Sequence, residues 1–221
     1  TLDQAFEEAA QRAGDALLIL HSETRPCEIS LAELRRRGKA LAGALHALGL
    51  RQGDVVALQL PNWVESALLY QAAAALGCVI LPIITIYGPA ELGFILKDSG
   101  AKVLFTPDRW RNVDFLARVR ALEPLPDLKA VVVVGEAEGD AISWTAFESK
   151  AGTAPPPDTS PDDLAFLVYT SGTTASPKGV RHSGNSFLSE MRQAIQWQGE
   201  VESNLTPYPS GHVAGALLLM R

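Results

Sequence analysis

The chain carries the stretch Tyr169-Thr170-Ser171-Gly172-Thr173-Thr174-Ala175-Ser176-Pro177-Lys178-Gly179-Val180, directly after the apolar run 164–168. The apolar run predicts a strand, so the polar stretch should form a loop at the end of that strand. Glycines let backbone N–H groups approach a ligand, hydroxyls donate hydrogen bonds, and the lysine adds a mobile positive charge. This combination favours an anionic ligand, and phosphate in particular.

Two other interpretations of this loop have to be weighed. An ordinary polar surface turn uses the same residue types. A Walker phosphate loop requires Gly-x-x-x-x-Gly-Lys-Ser/Thr at the start of a helix. Here Pro177 interrupts that pattern, and 179–182 predicts a second short strand. Phosphate binding would therefore depend on hydroxyls and loop amides more than on a helix dipole.

The ordered string resembles the phosphate-loop signature of the adenylate-forming superfamily, which includes acyl-CoA synthetases, peptide-synthetase adenylation domains and luciferases. That signature reads Tyr/Phe-Thr-Ser-Gly-Ser/Thr-Thr-Gly-x-Pro-Lys-Gly-Val, and Ala175 departs from it where glycine is usual. A match of this length makes the ordinary-turn interpretation improbable. We expect Ala175 to have a negative φ and to stiffen a loop that is poorly ordered without ATP.

Bulk composition restricts the class of protein. With 221 residues and 47% hydrophobic content, the chain can form one large domain or two small ones. The net charge of −6, without a basic run, argues against a nucleic-acid partner. The 2 cysteines lack metal-ligand spacing and predict a reduced, cytoplasmic location. The longest apolar stretch, 78–86, is too short to cross a bilayer.

Alternating helical and strand patterns predict an α/β fold with layered, largely parallel sheets flanked by helices. We expect Asn62 to cap the third helix and Arg35-Arg36-Arg37 to lie on a solvated helix face. The proline-rich segment 152–163 is predicted to link a first α/β unit, 1–151, to the start of a second, truncated unit, 164–221. Strands are expected at about 16–21, 27–29, 54–60, 78–84, 102–106, 130–134, 164–168 and 179–182, and helices at about 2–13, 30–49, 62–77, 89–99, 109–122 and 185–198.

The resemblance extends over essentially the whole chain, through similar elements at 29–34, 53–62 and 75–82. A second functional segment, 207–215, looks like the family's Pro-x-x-His-x-x-Gly, whose histidine lines the wall between the carboxylate pocket and the ATP site. His212 could equally be a helix-capping or packing histidine on residue type alone. Amino-acid-activating relatives usually carry Phe-Asp here to pair with an α-ammonium. The residues 210–212 offer no such anion, which favours a fatty or alicyclic acid without an α-amine.

The resemblance implies two half-reactions and a set of ligands. A carboxylate attacks the α-phosphorus of ATP to give an acyl-adenylate and pyrophosphate, and a thiol, usually coenzyme A, then displaces AMP. With Mg²⁺, the departing pyrophosphate would be stabilised by the phosphate loop, and the acyl group would be gated by the second segment. The implied phosphate ligands are Thr170, Ser171, Gly172, Thr173, Thr174 and Lys178, and the implied acyl-pocket residues are His212 and Gly215.

Several family segments are not found in these 221 residues. These are Gly-Tyr-Gly-x-Thr-Glu, Arg-Thr-Gly-Asp and the C-terminal lid with its lysine. We therefore expect an N-terminal fragment of an incomplete domain, inactive alone, with exposed apolar surface that favours a homodimer or other self-association. A carrier-protein-loading enzyme and a non-catalytic nucleotide- or acyl-binding module stay open as alternatives. The acyl chain and the thiol acceptor are not determined.

Overall fold

The computed structural model describes residues 1–170, 177–198, 203, 205 and 207–219. The helices are α1 (Leu2–Arg12), α2 (Leu31–Ala47), α3 (Val64–Leu76), α4 (Pro89–Ser99), α5 (Phe115–Arg120), α6 (Trp144–Glu148), α7 (Gly184–Gln198) and α8 (Val213–Leu219). The strands are β1 (Leu17–Leu20), β2 (Cys27–Ser30), β3 (Val55–Leu58), β4 (Val79–Pro82), β5 (Val103–Pro107), β6 (Arg109–Trp110), β7 (Val113–Asp114), β8 (Ala130–Val134), β9 (Ile142–Ser143), β10 (Leu164–Thr170) and β11 (Lys178–Ser183).

A seven-stranded sheet in the order β11-β10-β4-β3-β5-β8-β9 forms the centre of the fold. All neighbouring pairs are parallel except β10 and β11, which are antiparallel. Two small antiparallel pairs, β1-β2 and β6-β7, lie outside it. The α/β prediction with a largely parallel sheet is confirmed, because strands separated by helices must be joined by crossovers and pair in parallel.

Helices cover both faces of the sheet. The larger core combines α2, α3 and α7 with one sheet face, and it includes Leu41, Leu68 and Phe187. The smaller core lies on the opposite face, where Leu92, Ile95 and Leu96 of α4 pack. Burial on both faces explains why the central strands are almost entirely apolar.

The proline-rich segment 152–163 has no regular structure until its last residues and is tied to the surface of the first part of the chain. The Gln52 carboxamide exchanges two hydrogen bonds with the backbone of Asp158, at 2.8 and 2.9 Å. The strand that follows, β10, pairs with β4. Strands on both sides of the segment therefore share one sheet, while the division of the chain into two units stays a prediction.

The predicted helix 109–122 is wrong in its first half. Residues 109–114 form the β6-β7 hairpin, in which Arg111 has a φ of 53°. The Asp114 carboxylate accepts a hydrogen bond from Ala117 N (2.7 Å), so that α5 starts only at Phe115. A side-chain cap competes with continued helix at this point. The short elements β9 and α6 were not predicted.

Two side chains were also placed wrongly from the sequence. Arg35 is buried, with only 4% of its surface exposed, whereas Arg36 is the solvated member of the run. Asn62 does not cap α3, because Trp63 occupies the cap position and makes no side-chain cap bond. Among the described residues, no helix is long and apolar enough to cross a bilayer.

Candidate functional site

The predicted phosphate loop joins β10 to β11. Thr170 and Lys178 face each other as the last residue pair of this antiparallel ladder, and both are exposed. Ser171, Gly172, Thr173, Thr174 and Ala175, with the φ expected for Ala175, lie outside the described residues. The structure thus brings two predicted phosphate ligands together at the base of the loop, and their role stays a prediction.

The strand residue before the loop is fixed to α4. The Tyr169 hydroxyl donates a 2.5 Å hydrogen bond to Asp98 Oδ2, across the smaller core. Burial, reinforced by Asp98, raises the pKa of Tyr169 far above its ordinary value, so the phenol keeps its proton as a donor. On β11, a Cβ at Gly179 would lie 3.1 Å from the Tyr169 ring. The base of the loop therefore packs tightly against its anchor.

The second predicted segment, 207–215, is clamped to the turn after β3. Asn62 Nδ2 donates to Tyr208 O (3.0 Å), and Ser210 N donates to Asn62 Oδ1 (2.6 Å). The hydroxyl of Tyr70, on α3, donates to Ser210 O at 2.5 Å. Ser210 is 2% exposed. These contacts fix the segment at the edge of the sheet where β3 and β4 end.

His212 follows this clamp and immediately precedes α8. Its ring Nδ1 accepts a hydrogen bond from Ala214 N (3.2 Å), and the ring is stacked on Tyr208 with centroids 6.4 Å apart. The capping role considered from the sequence is therefore present. An acceptor at Nδ1 places the proton of neutral imidazole on Nε2, as a donor on an exposed ring.

Gly215 permits a close backbone approach within the same segment. A Cβ at this position would lie 1.9 Å from Pro209 O, closer than any side chain tolerates. Glycine at 215 is thus required by the turn that presents His212. Whether Gly215 also contacts an acyl group stays a prediction.

A cavity of about 450 Å³ lies beside the clamped segment. Its walls include Pro207 and Pro209 together with Thr85, Trp110 and Arg111. Since β3, β4, β5 and β10 run parallel, this cavity and the base of the phosphate loop lie at the same edge of the sheet, the usual ligand edge of such folds. No local sequence signal pointed to Trp110 or Arg111, because the hairpin that presents them was predicted as helix.

Comparison with known proteins assigns the family. A family model described as AMP-binding enzyme matches residues 6–220. The chain belongs to the AMP-binding enzyme family. The resemblance stated from the phosphate-loop motif is confirmed, and this family includes the adenylate-forming ligases found among the relatives.

Two curated relatives and one solved structure illustrate the similarity to AMP-binding enzymes. Over 198 residues, the chain is 32% identical to a long-chain-fatty-acid–CoA ligase of Mycobacterium tuberculosis, covering 84% of this chain and 36% of the ligase. Over 192 residues, it is 33% identical to the salicyl-AMP ligase / salicyl-S-ArCP synthetase of the same organism, covering 85% and 34%. The chain therefore spans about a third of the length of these relatives.

The fold of the chain is similar to that of an N-terminal domain of known structure. An inhibitor-bound crystal structure of the N-terminal domain of FACL13 from Mycobacterium tuberculosis is similar with a TM-score of 0.81 and 28% identity. The match covers 99% of this chain and 54% of that one. The expected fold of an adenylate-former N-terminal domain is therefore confirmed.

The described part of the AMP-binding chain contains no group of three His, Cys, Asp or Glu side chains that could hold a metal ion. Asp98, in the last turn of α4, already accepts the Tyr169 hydroxyl. Mg²⁺ bound between phosphates keeps several waters and needs only one or two protein carboxylates. Among the described residues there is thus no protein cage for a metal ion.

Proposed function

We propose that the full-length gene product activates a carboxylic acid with ATP to an acyl-adenylate and then forms an acyl-CoA thioester. One observation carries the proposal: the base of the phosphate loop, at Thr170 and Lys178, and the His212 segment lie at the same edge of a largely parallel sheet. That edge carries exposed Thr170 and Lys178 on one side and the exposed imidazole of His212 on the other. The ligase activities in the names of the relatives support this reading.

In the first step, a carboxylate oxygen bonds to the α-phosphorus, and the bond to the bridging oxygen of pyrophosphate breaks. Negative charge grows on the departing pyrophosphate. Thr170, the loop residues 171–174 and Lys178 would donate hydrogen bonds to that charge. Mg²⁺ would supply further charge neutralisation when it enters with the nucleotide. Lys178, a flexible point charge, suits a loop that closes over its ligand.

The acyl side is proposed to take a fatty or alicyclic acid. Ser210 is 2% exposed, and its hydroxyl donates to the carbonyls of Leu60 and Pro61, both at 3.3 Å, so burial keeps it away from a substrate ammonium. Residues 210–212 also supply no carboxylate that could pair with one. His212 and Gly215 would form the wall of the acyl pocket. A carrier-protein acceptor in place of coenzyme A is the second candidate, because one relative is named as a salicyl-S-ArCP synthetase.

We further propose a cytoplasmic location and self-association of the chain. Cys27 and Cys78 are free thiols, which fits a reducing cytoplasm. β11 is the outer strand of the sheet as described, with exposed residues from Lys178 to Arg181, and such an edge could support self-association. Because the chain spans about a third of its relatives, we expect residues 1–221 alone to form no acyl-CoA.

The experiment is carboxylate-dependent ATP–pyrophosphate exchange by the full-length gene product. Lys178→Ala should slow exchange about tenfold to a hundredfold, because a lost charge-assisted hydrogen bond costs roughly 1.5–3 kcal/mol. The double variant Thr173→Val with Thr174→Val should slow it similarly. Arg181→Ala, which removes an exposed charge from the same strand, is the matched control and should leave the rate unchanged. Wild-type exchange in both loop variants would refute the assignment, and a non-catalytic module would show no exchange at all.

A further inference from the structure

Asn62 makes contacts that its sequence position does not predict. It precedes α3, yet α3 begins at Val64 without a side-chain cap. Its carboxamide is directed instead at a segment nearly 150 residues away in sequence, where Nδ2 donates to Tyr208 O at 3.0 Å and Oδ1 accepts from Ser210 N at 2.6 Å. One side chain therefore holds the backbone on both sides of Pro209.

Further buried contacts make this clamp rigid. Ser210 O accepts the Tyr70 hydroxyl at 2.5 Å, and the Ser210 hydroxyl donates to the carbonyls of Leu60 and Pro61. Tyr70 and Ser210 are both 2% exposed. Buried hydrogen-bond networks of this kind fix one backbone geometry when all members are satisfied.

The geometry of His212 depends on the clamped backbone. His212 N donates to Pro209 O at 2.9 Å, and Pro209 is the residue that the Asn62 carboxamide brackets. The imidazole is stacked on Tyr208, whose carbonyl accepts from Asn62. A movement of the clamp would therefore move both the backbone and the stacking partner of the ring.

We propose that Asn62 is a positioning residue for the acyl wall, which sets the orientation of the His212 ring through the backbone of 208–210. The part played by His212 in acid binding rests on the proposed function. The dependence of the ring on Asn62 rests on the contacts alone. The two statements can therefore fail separately.

The direct test is NMR of the His212 ring in the 221-residue chain. The chain has 4 histidines, and His212→Gln assigns the signal. The wild-type ring nitrogens should report the tautomer with Nδ1 as acceptor and the proton on Nε2. Asn62→Ala should shift these signals towards the averaged mixture of a free imidazole, with the other histidines unchanged. An unchanged His212 spectrum in folded Asn62→Ala overturns the proposal.

A matched control separates positioning from general loss of stability. Ser143→Ala also removes a side-chain acceptor from a backbone N–H, that of Ala146 at 3.2 Å, at the start of α6. It should leave the His212 signals in place even where it lowers the unfolding temperature. An equal shift of those signals in Ser143→Ala would overturn the proposal.

Asn62→Asp keeps the test decisive if the alanine variant does not fold. The aspartate still accepts from Ser210 N but cannot donate to Tyr208 O, so a partial shift of the His212 signals is expected and no shift overturns the proposal.

In the full-length protein, Asn62→Asp should raise KM for the acid severalfold with little change in KM for ATP. Equal changes in both KM values would refute the link to the acyl wall. If the wild-type protein shows no carboxylate-dependent ATP–pyrophosphate exchange, the proposed function is refuted. The NMR result would still decide whether Asn62 positions the His212 ring.

Discussion

Replacing Arg35 by methionine removes the hydrogen bonds of a buried guanidinium while keeping most of its aliphatic stem. The Arg35 side chain is 5% exposed and joins three helices. Its Nη2 lies 2.6 Å from Asp3 Oδ1 and its Nε 3.0 Å from Glu7 Oε2, both on α1. Its Nη1 donates to Gln71 Oε1 on α3 at 3.3 Å. The substitution should therefore weaken the packing of α1 and α3 against α2.

The expected loss in the free energy of unfolding depends on whether each former partner of Arg35 can be hydrated. The side chains of Asp3 and Glu7 are 25% and 39% exposed, so the freed carboxylates regain water and each loss costs only about 0.5–1 kcal/mol. Gln71 is 8% exposed, and its orphaned oxygen costs about 1–3 kcal/mol. The free energy of unfolding should fall by about 2–5 kcal/mol in total, since methionine retains the packing of the stem.

Urea unfolding followed by circular dichroism measures this loss, with the slope m checked for constancy. Arg36→Met is the matched control, because the Arg36 side chain is 70% exposed and pairs with Glu33 of its own helix. The control should unfold at nearly the wild-type midpoint. Equal midpoint shifts for the two variants would refute the reasoning that burial, and not charge, makes the difference.

Three further predictions concern close packing, thiol reactivity and pH. Gly215→Ala should lower the free energy of unfolding by about 1–3 kcal/mol, because its Cβ would lie 1.9 Å from Pro209 O, and an unchanged urea midpoint would contradict this. Burial raises the pKa of Cys78 to about 12, so at about pH 8 a thiol reagent should label half-buried Cys27 first, and equal rates would contradict this. The hydrogen bond from Arg35 lowers the pKa of Glu7 in the folded protein. The stability that this ionised carboxylate contributes is therefore present above the ordinary pKa of glutamate, and it is lost as pH falls through the lower pKa of the folded state. The methionine variant should accordingly lose less stability than the wild type between about pH 7 and about pH 3 in urea titrations, and parallel curves would refute this.

Local signals in the sequence were enough for most of the fold. The β-branched run 130–134 became β8, and Gly77 ends α3 in the left-handed conformation that favours glycine. The hairpin at 109–114 could not be predicted in the same way. It depends on the left-handed φ of Arg111 and on the Asp114 cap, which compete with a sequence of moderate helical propensity. Neither feature has a periodic signature.

In the candidate site, too, the residues of a contiguous motif could be predicted from the sequence, whereas their long-range contacts could not. The motif predicts Thr170 and Lys178 as phosphate ligands because a family pattern is contiguous in sequence, and the structure places them at the facing ends of β10 and β11. Their structural support comes from distant segments, as the hydrogen bond of Tyr169 to Asp98 shows, since the partners are 71 positions apart in sequence. The clamp by Asn62 spans 148 residues to Ser210. Long-range contacts of single polar side chains produce no recognisable pattern in the local sequence, so only the tertiary structure reveals them.

Transfer of an oxygen label from the acid to AMP tests the adenylation claim most directly. The full-length gene product would be given ATP, Mg²⁺, coenzyme A and a fatty acid labelled with oxygen-18 in its carboxylate. If a carboxylate oxygen attacks the α-phosphorus and thiolysis then cleaves the acyl–oxygen bond, the AMP released carries one labelled oxygen. Mass spectrometry should show this singly labelled AMP in step with thioester formation. AMP without label, or AMP release that does not depend on the acid, would contradict the account.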